Sequence, residues 1–325
     1  MGDGADCGSP AGVRGKDING TSAILRARVI QDLTSGELIM STQTSLILGA
    51  VAYDPKVVTI WDGFQRYFRS KDFDFDYVLY SNYEKQVEAH VLGEIHVAWN
   101  SPLAWLQTER AAKNLGRRAE AICMRDTDRD LTSIVVVRSN SPIHDVHDLR
   151  GKNVAVGAGD SPQARLIPLN YLADQGLRPG DDFTVMPFDK LVGKHGDHIG
   201  GERDAIRALR NEEADAACIL DGNHLAFVRE GTIVSGATRI LAQTPVFDHC
   251  NFTVLDDAPV GQVAEFRELL LNMSYADEEV RPLFDLEGLK RWLPGRVEGY
   301  RQLADAVDRF GTIDTFVGNL AARCK

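Results

Sequence analysis

Asp148 to Leu177, DLRGKNVAVGAGDSPQARLIPLNYLADQGL, carries the chain from a turn through a buried strand into a helix. Asn153 to Gly157 is a short apolar run between Gly151 and the Gly157-Ala158-Gly159 cluster, which suits a strand covered on both faces of a parallel sheet. Asp160 or Ser161 stands where a helix cap is needed, with Pro162 in the first turn. Ala164, Leu166, Ile167, Leu169, Tyr171 and Leu172 keep a helical period until Gly176 stops it, and Pro168 falls inside that period as a kink. Strand, glycine turn and helix start together aim free backbone N–H groups at a small anion. The same unit is also an ordinary building block of α/β proteins, so one glycine turn is a weak motif.

The flanks repeat the unit. Upstream, strands at Thr44–Val51, Phe75–Tyr80 and Ile95–Trp99 alternate with helices through Ile60, Trp61, Phe64 and Phe68, over Tyr83–Leu92, and from Leu103. Ile134–Arg138 is a further strand, and Ser139-Asn140-Ser141-Pro142 reads as a linker. Downstream the rhythm resumes with Phe183–Met186, the helix Arg203–Arg210 and Ala216–Leu220, and a return is placed at Thr238–Thr244 before Asn251–Leu255. Short β-α-β links imply right-handed crossovers. The expected fold is α/β with two lobes: 43–138 plus 245–325 as lobe I and 139–244 as lobe II. Each lobe holds a mostly parallel sheet flanked by helices, with hinge crossings at Ser139–Pro142 and Leu241–Pro245. Residues 1–42 form an N-terminal extension, disordered over about the first 20 residues, with a short helix at Thr21–Leu33.

Thirty-six Lys and Arg against 47 Asp and Glu give a net charge of -11, which excludes nucleic acid and anionic membrane as main partners. A small anion remains compatible, because local amides and one Arg can oppose the global field. Five cysteines without C-x-x-C spacing point to reduced thiols in a reducing compartment. With no span-length apolar stretch and no signal-like start, the expectation is a cytoplasmic chain without membrane insertion.

Several polar groups stand where strands end. Asp221-Gly222-Asn223-His224 follows a strand, and Asp248-His249-Cys250-Asn251 opens the return segment. Cys250 is a candidate nucleophile, but strand alternation turns His249 away from it, so His195 or His224 would have to serve as its base. Arg125 and Arg165 are the cations suited to a carboxylate. His195 and His198 lack a further ligand at metal spacing, so neither a metal nor a cofactor is expected.

The segments DLRGKNVAV from Asp148, ADAACI from Ala214 and GKH from Gly193 with Asp197 resemble the phosphate/phosphonate solute-binding proteins of ABC transporters. Tyr53-Asp54-Pro55, Asn100-Ser101-Pro102, Ser133-Ile134-Val135-Val136 and the region around Tyr300 also fit that pattern, which covers roughly residues 43 to 310. The resemblance implies a type 2 periplasmic-binding-protein fold with a ligand in the cleft, and a permease as partner if the chain is exported. It places Tyr53, Asp54, Asn100, Ser101, Ser161, Gln163, His195 and Asp221 at the ligand. Where the family offers a hydroxyl-rich Ser-Thr-Ser-Gly turn, this chain has Asp160-Ser161-Pro162-Gln163. That change loses an N–H and adds a carboxylate, which disfavours a dianion. The expected function is binding of a small polar or anionic metabolite between closing lobes. The alternative is a cytoplasmic enzyme of lyase, decarboxylase or biosynthetic type on the same fold, with His195, His224, His249 and Cys250 as its chemical groups.

Overall fold

The computed structural model describes residues 45–324, together with Arg28–Val29 and Met40–Ser41, which pair antiparallel. The disorder expected near the start, and the helix expected over Thr21–Leu33, fall outside the described residues except at Arg28–Val29, which is extended.

From Leu46 onward the chain builds β1 (Leu46–Val51), α1 (Lys56–Ser70), β2 (Phe75–Tyr80), α2 (Tyr83–Val91), β3 (Val97–Asn100), α3 (Pro102–Asn114) and β4 (Ala119–Arg125). It then makes β5 (Ser133–Arg138), β6 (Asn153–Val156), α4 (Ile167–Asp174), β7 (Thr184–Pro187), α5 (Gly200–Arg210), β8 (Ala216–Leu220), α6 (Asp221–Arg229) and β9 (Thr238–Gln243). The last part holds β10 (Asn251–Leu255), α7 (Val260–Leu271), α8 (Arg281–Glu287), β11 (Trp292–Pro294), α9 (Arg301–Phe310) and α10 (Asp314–Arg323).

Two sheets result, ordered β11-β4-β10-β3-β1-β2 and β9-β5-β8-β6-β7. Both are mixed, where mostly parallel sheets were expected. β1 is parallel to β2 and β3, and β6 to β7 and β8, but β10 runs against β3 and β4, and β5 against β8 and β9. The reason is the two-way traffic between lobes: β5 enters the second sheet and β10 re-enters the first, each against its neighbours.

β5 also corrects the lobe boundary. Ser133–Arg138 pairs with β8 and β9, so the first crossing is 126–132 and not Ser139–Pro142. An apolar run such as IVVVR announces a buried strand without saying which sheet will bury it. On the return, the Thr244 N–H still donates to Ser133 O, and residues 245–250 then cross. The two crossings pair with each other, Leu131 and Phe247 exchanging backbone hydrogen bonds of 2.8 Å each.

Each sheet is covered on both faces. In the first, α1 buries Val57, Ile60, Trp61, Phe64 and Phe68 at three- and four-residue spacing, into an aromatic cluster with Phe252, Phe266 and Trp292. The opposite face packs Leu103, Leu106, Leu303 and Val307. In the second, Ile206 and Leu209 cover one face and Leu169 and Leu172 the other.

The segment from Asp148 to Leu177 folds largely as its sequence predicts. Ser161 Oγ accepts the Ala164 N–H at 3.2 Å, a wide π-type turn spans Pro162–Leu166, and Gly176 (φ +79°) follows the helix. Pro168 stands in the first turn of α4, directly after the π-type turn. Gly157 is required by close approach: a Cβ there would lie 2.7 Å from that of Ala164. Among the described residues Cys123, Cys218, Cys250 and Cys324 are free, and no helix is long and apolar enough to cross a membrane.

Candidate functional site

The two crossings carry the most concentrated charge of the interior. Arg125, the last residue of β4, donates Nε–H to Asp128 Oδ2 at 2.6 Å and Nη2–H to Asp128 Oδ1 at 2.8 Å. Its Nη1 donates to the Glu287 carbonyl at 2.8 Å and to Glu287 Oε1 at 3.3 Å, and the guanidinium lies 5.2 Å over Trp99. Burial alone would lower the Arg125 pKa, but Asp128 and Glu287 outweigh it and push it well up. Burial likewise opposes the Asp128 charge, yet Arg125 and His249 hold its pKa down to about 2. Glu287, with only the weaker share of the same guanidinium, is raised by burial to about 7.

A cavity of about 190 Å³ opens against this cluster, bounded by both lobes. Tyr53 and Trp99 come from the first, and Gln163, Gly196, Asp197, Ile199, Leu220 and Asn223 from the second. Arg125, His249 and Cys250 close it along the crossings. Its size is that of about six water molecules in the liquid. Behind the second wall, Glu202 accepts from the Leu220 N–H at 2.9 Å and from Asn223 Nδ2 at 2.8 Å. Burial raises the Glu202 pKa against these bonds, and raises that of Asp197 against His249 and the Tyr83 hydroxyl that donates to its Oδ2.

The loop from Leu191 to Asp197 ties the lobes together. Its Gly193 carbonyl accepts the Tyr83 N–H at 3.0 Å, and Lys194 Nζ donates to Ala52 O at 2.7 Å and to Ser81 O. His195 stacks on Tyr83 with ring centroids 4.6 Å apart, while its Nδ1 meets Ser101 Oγ at 2.7 Å and its Nε2 meets Glu84 Oε1 at 3.0 Å. The turn at Asp160–Gln163, expected to face the ligand, is divided: Asp160 faces this loop, and Gln163 both touches it and lines the cavity. Asp160 Oδ2 accepts from the Gly193 and His195 N–H groups, and Gln163 Nε2 donates to Gly196 O at 2.8 Å. Only glycine fits at 196, where φ is +78° and a Cβ would lie 2.4 Å from Ser161 Oγ.

Of the residues singled out by sequence, Tyr53, Gln163, Arg125, His249 and Cys250 line the cavity, as do Asp197 and Asn223 from the segments noted around them. The remaining candidates do not. Asp54 is exposed and accepts the Lys56 N–H at the start of α1, which makes it a turn residue. Asn100 is buried under β10, bonded to Gln86 and Thr253, as a polar tie within the sheet. Ser101 and Ser161 cap helices, and His195 is fully buried in the interlobe latch. Asp221 opens α6, and His224 faces Thr238 at 3.1 Å. Arg165 lies 3.5 Å from Asp189, away from the cavity. Asp54, Ser101 and Ser161 serve backbone N–H groups nearby, and Asn100, His195, His224 and Arg165 serve other side chains, uses that sequence spacing does not separate from ligand binding.

His249 and Cys250 are a separate correction. His249 Nδ1 lies 3.1 Å from Cys250 Sγ, because both precede Asn251, where β10 and its alternation begin. Burial, with Asp197 and Asp128 nearby, nevertheless raises the Cys250 pKa well above that of an ordinary thiol, which favours its protonated form. With His195 and His224 outside the cavity, the acid/base set of the enzyme alternative is reduced to His249. Asp128, His249 and Cys250 could offer ligand atoms within 4.8 Å of one another. Both Asp128 oxygens already serve Arg125, however, so a metal ion would have to displace a cation in place.

Glu287, Asp128, Glu202 and Tyr83 had no local signal that tied them to a site; Trp99 and Asp197 had a weak one, an aromatic at a strand end and an acid two residues after a histidine. No curated protein matches the chain. Among solved structures, PhnD1 from Prochlorococcus marinus in complex with methylphosphonate is 17% identical with a TM-score of 0.63, the match covering 83% of this chain and 99% of that one. A Xanthomonas citri protein bound to chloride ion is 16% identical with a TM-score of 0.61, covering 86% and 99%. The periplasmic aliphatic sulphonate binding protein SsuA from Escherichia coli is 18% identical with a TM-score of 0.54, covering 82% and 92%. These likenesses establish the type 2 periplasmic-binding-protein fold. The model of the family described as ABC transporter, phosphonate, periplasmic substrate-binding protein matches residues 50–300, most of the chain. The chain belongs to the phosphonate-binding family of ABC-transporter substrate-binding proteins.

Proposed function

We propose that this chain is a solute receptor that holds one small polar molecule between its lobes and hands it on when they part. The observation that carries the reading is the cavity itself, walled by both lobes and by both crossings, so that opening the hinge dismantles it. Such a site is formed only in the closed state, which makes ligand binding and closure one equilibrium. The family's description as the substrate-binding component of ABC transporters supports a permease as the partner that receives the closed form. A cytoplasmic placement has the buried free thiols Cys123, Cys218 and Cys250 on its side, whereas the family description is of periplasmic proteins.

A fractionated small-molecule extract added to the purified chain tests this. A ligand present at about 100 times its Kd stabilises by about 2.7 kcal/mol, which moves the unfolding midpoint of a chain this size by roughly 4 °C. At least one fraction is expected to do so. A midpoint unmoved by every fraction would count against a solute receptor.

A further inference from the structure

The second lobe has a cavity of its own, at the end of β5 remote from the crossings. It measures about 290 Å³, and its wall includes Arg138 at the end of β5, Ile206 and Arg210 of α5, and Ile233, Val234 and Ala237 of the loop before β9. None of the residues lining it lines the cavity between the lobes. β5 starts at the first crossing with Ser133, and its rise carries Arg138 about 17 Å away. The loop wall is fixed by backbone bonds. Ser139 N–H donates to Ala237 O at 2.9 Å, Ala237 N–H to Val234 O at 3.0 Å, and Ile233 N–H to Phe227 O at 3.0 Å.

Two cations of this wall have no anion. Arg138 Nη1 donates to Leu209 O at 2.8 Å and to Ala214 O at 2.7 Å, which sets its guanidinium against the last turn of α5. Its Nε and Nη2 have no hydrogen-bond partner among the described residues. Arg210 is exposed and makes a single long bond, from Nη1 to Thr232 O at 3.4 Å. No carboxylate lines the cavity, and among the described residues neither arginine forms an ion pair, although the chain carries a net charge of -11. Acids of the adjoining segments are used elsewhere: Glu230 accepts from Arg203 and the Thr232 hydroxyl, and Asp204 from Lys190 and Arg207. The rest of the wall is apolar. Ile206 and Ile233 are buried there and Val234 is exposed.

Spare guanidinium donors beside an apolar wall complement an anion that carries an apolar body, and the planar fork of arginine matches a carboxylate. We infer that this cavity is a second binding site, for a small carboxylic acid with a short apolar chain. Its carboxylate meets Arg210 and the spare N–H groups of Arg138, and its chain lies against Ile206, Ile233 and Val234. The volume is that of about ten water molecules in the liquid, room for a six-carbon acid. The inference stands beside the solute-receptor reading and does not depend on it.

Calorimetric titration of the full chain at pH 7 with hexanoate and with hexylamine tests this, since the two share a chain length and differ in the sign of the charge. Hexanoate is expected to bind with a Kd of about 1 mM or tighter, and hexylamine at least tenfold more weakly. Arg210→Glu, a change at an exposed position, should abolish hexanoate binding while the unfolding midpoint stays near wild type. Methyl NMR of the wild type locates the site without any variant: hexanoate should shift the Ile206, Ile233 and Val234 signals. No binding of hexanoate, equal binding of hexylamine, unshifted methyl signals at these three residues, or hexanoate held as tightly by Arg210→Glu would each overturn the site. None of these results bears on the cleft, whose reading fails separately if no fraction of the extract moves the midpoint.

Discussion

Asp128→Ala should lower the stability of the chain by about 3–5 kcal/mol, the usual cost of removing one partner from a buried ion pair. Asp128 is 1% exposed and takes both of its oxygens to Arg125, and its backbone carbonyl accepts the His249 N–H at 2.8 Å. Without the carboxylate, Arg125 keeps only Glu287, one of whose contacts is the longer 3.3 Å bond. A guanidinium left with its weaker partner alone would then sit where the two lobes join. Removing both charges should be far milder than the sum, so Arg125→Met with Asp128→Ala should recover much of the loss. Urea unfolding of the two single variants and the double variant measures this. A loss below about 1 kcal/mol for Asp128→Ala alone would mean that the pair is effectively solvated.

Glu287→Gln should flatten the fall in stability that the wild type shows from about pH 4.5 to pH 7. Glu287 has its pKa raised by burial from 4.5 to about 7 in the folded chain, because Asp128 takes the bidentate share of Arg125. In that window the folded form binds more protons than the unfolded form, so this group's contribution declines as pH rises and is fully lost above the folded pKa. At 1.36 kcal/mol per pKa unit, the variant should gain roughly 2–3 kcal/mol over the wild type above pH 8. Asp128 acts in the other direction. Its folded pKa of about 2 means that its contribution is present above 3.8 and is lost as the pH falls toward 2. Thermal unfolding midpoints from pH 3 to pH 9 separate the two, and a variant whose profile parallels the wild type from 4.5 to 7 would refute the assignment to Glu287.

Most of the strands were legible because each is a short apolar run between glycines or turn residues, but β4 (Ala119–Arg125) and β11 (Trp292–Pro294) were not, and local chemistry narrowed the helix cap to Asp160 or Ser161, of which Ser161 takes the role. Which sheet would take Ser133–Arg138 was not legible, since that depends on pairing with Ala216–Leu220 and Thr238–Gln243, far along the chain. The site was harder for the same reason. Arg125 could be picked out as a cation at a strand end, but its partner Glu287 lies 162 residues away, on a helix whose sequence carries no sign of it. His195 stood out through the resemblance of Gly193-Lys194-His195 to the family pattern. The structure gives it to the contact with Ser101, Glu84 and Tyr83, a use that spacing does not distinguish from ligand binding.

In the proposed receptor the cleft holds one small solute only while the loop around His195 keeps the lobes together, and native mass spectrometry tests this directly. The wild type, incubated with a small-molecule extract and then freed of excess, should carry a single noncovalent adduct small enough for a cavity of about 190 Å³. His195→Ala, which removes the contacts to Ser101 and Glu84 without touching the cavity wall, should lose that adduct while remaining folded. A wild type that stays bare, or an adduct retained equally by His195→Ala, would contradict the account.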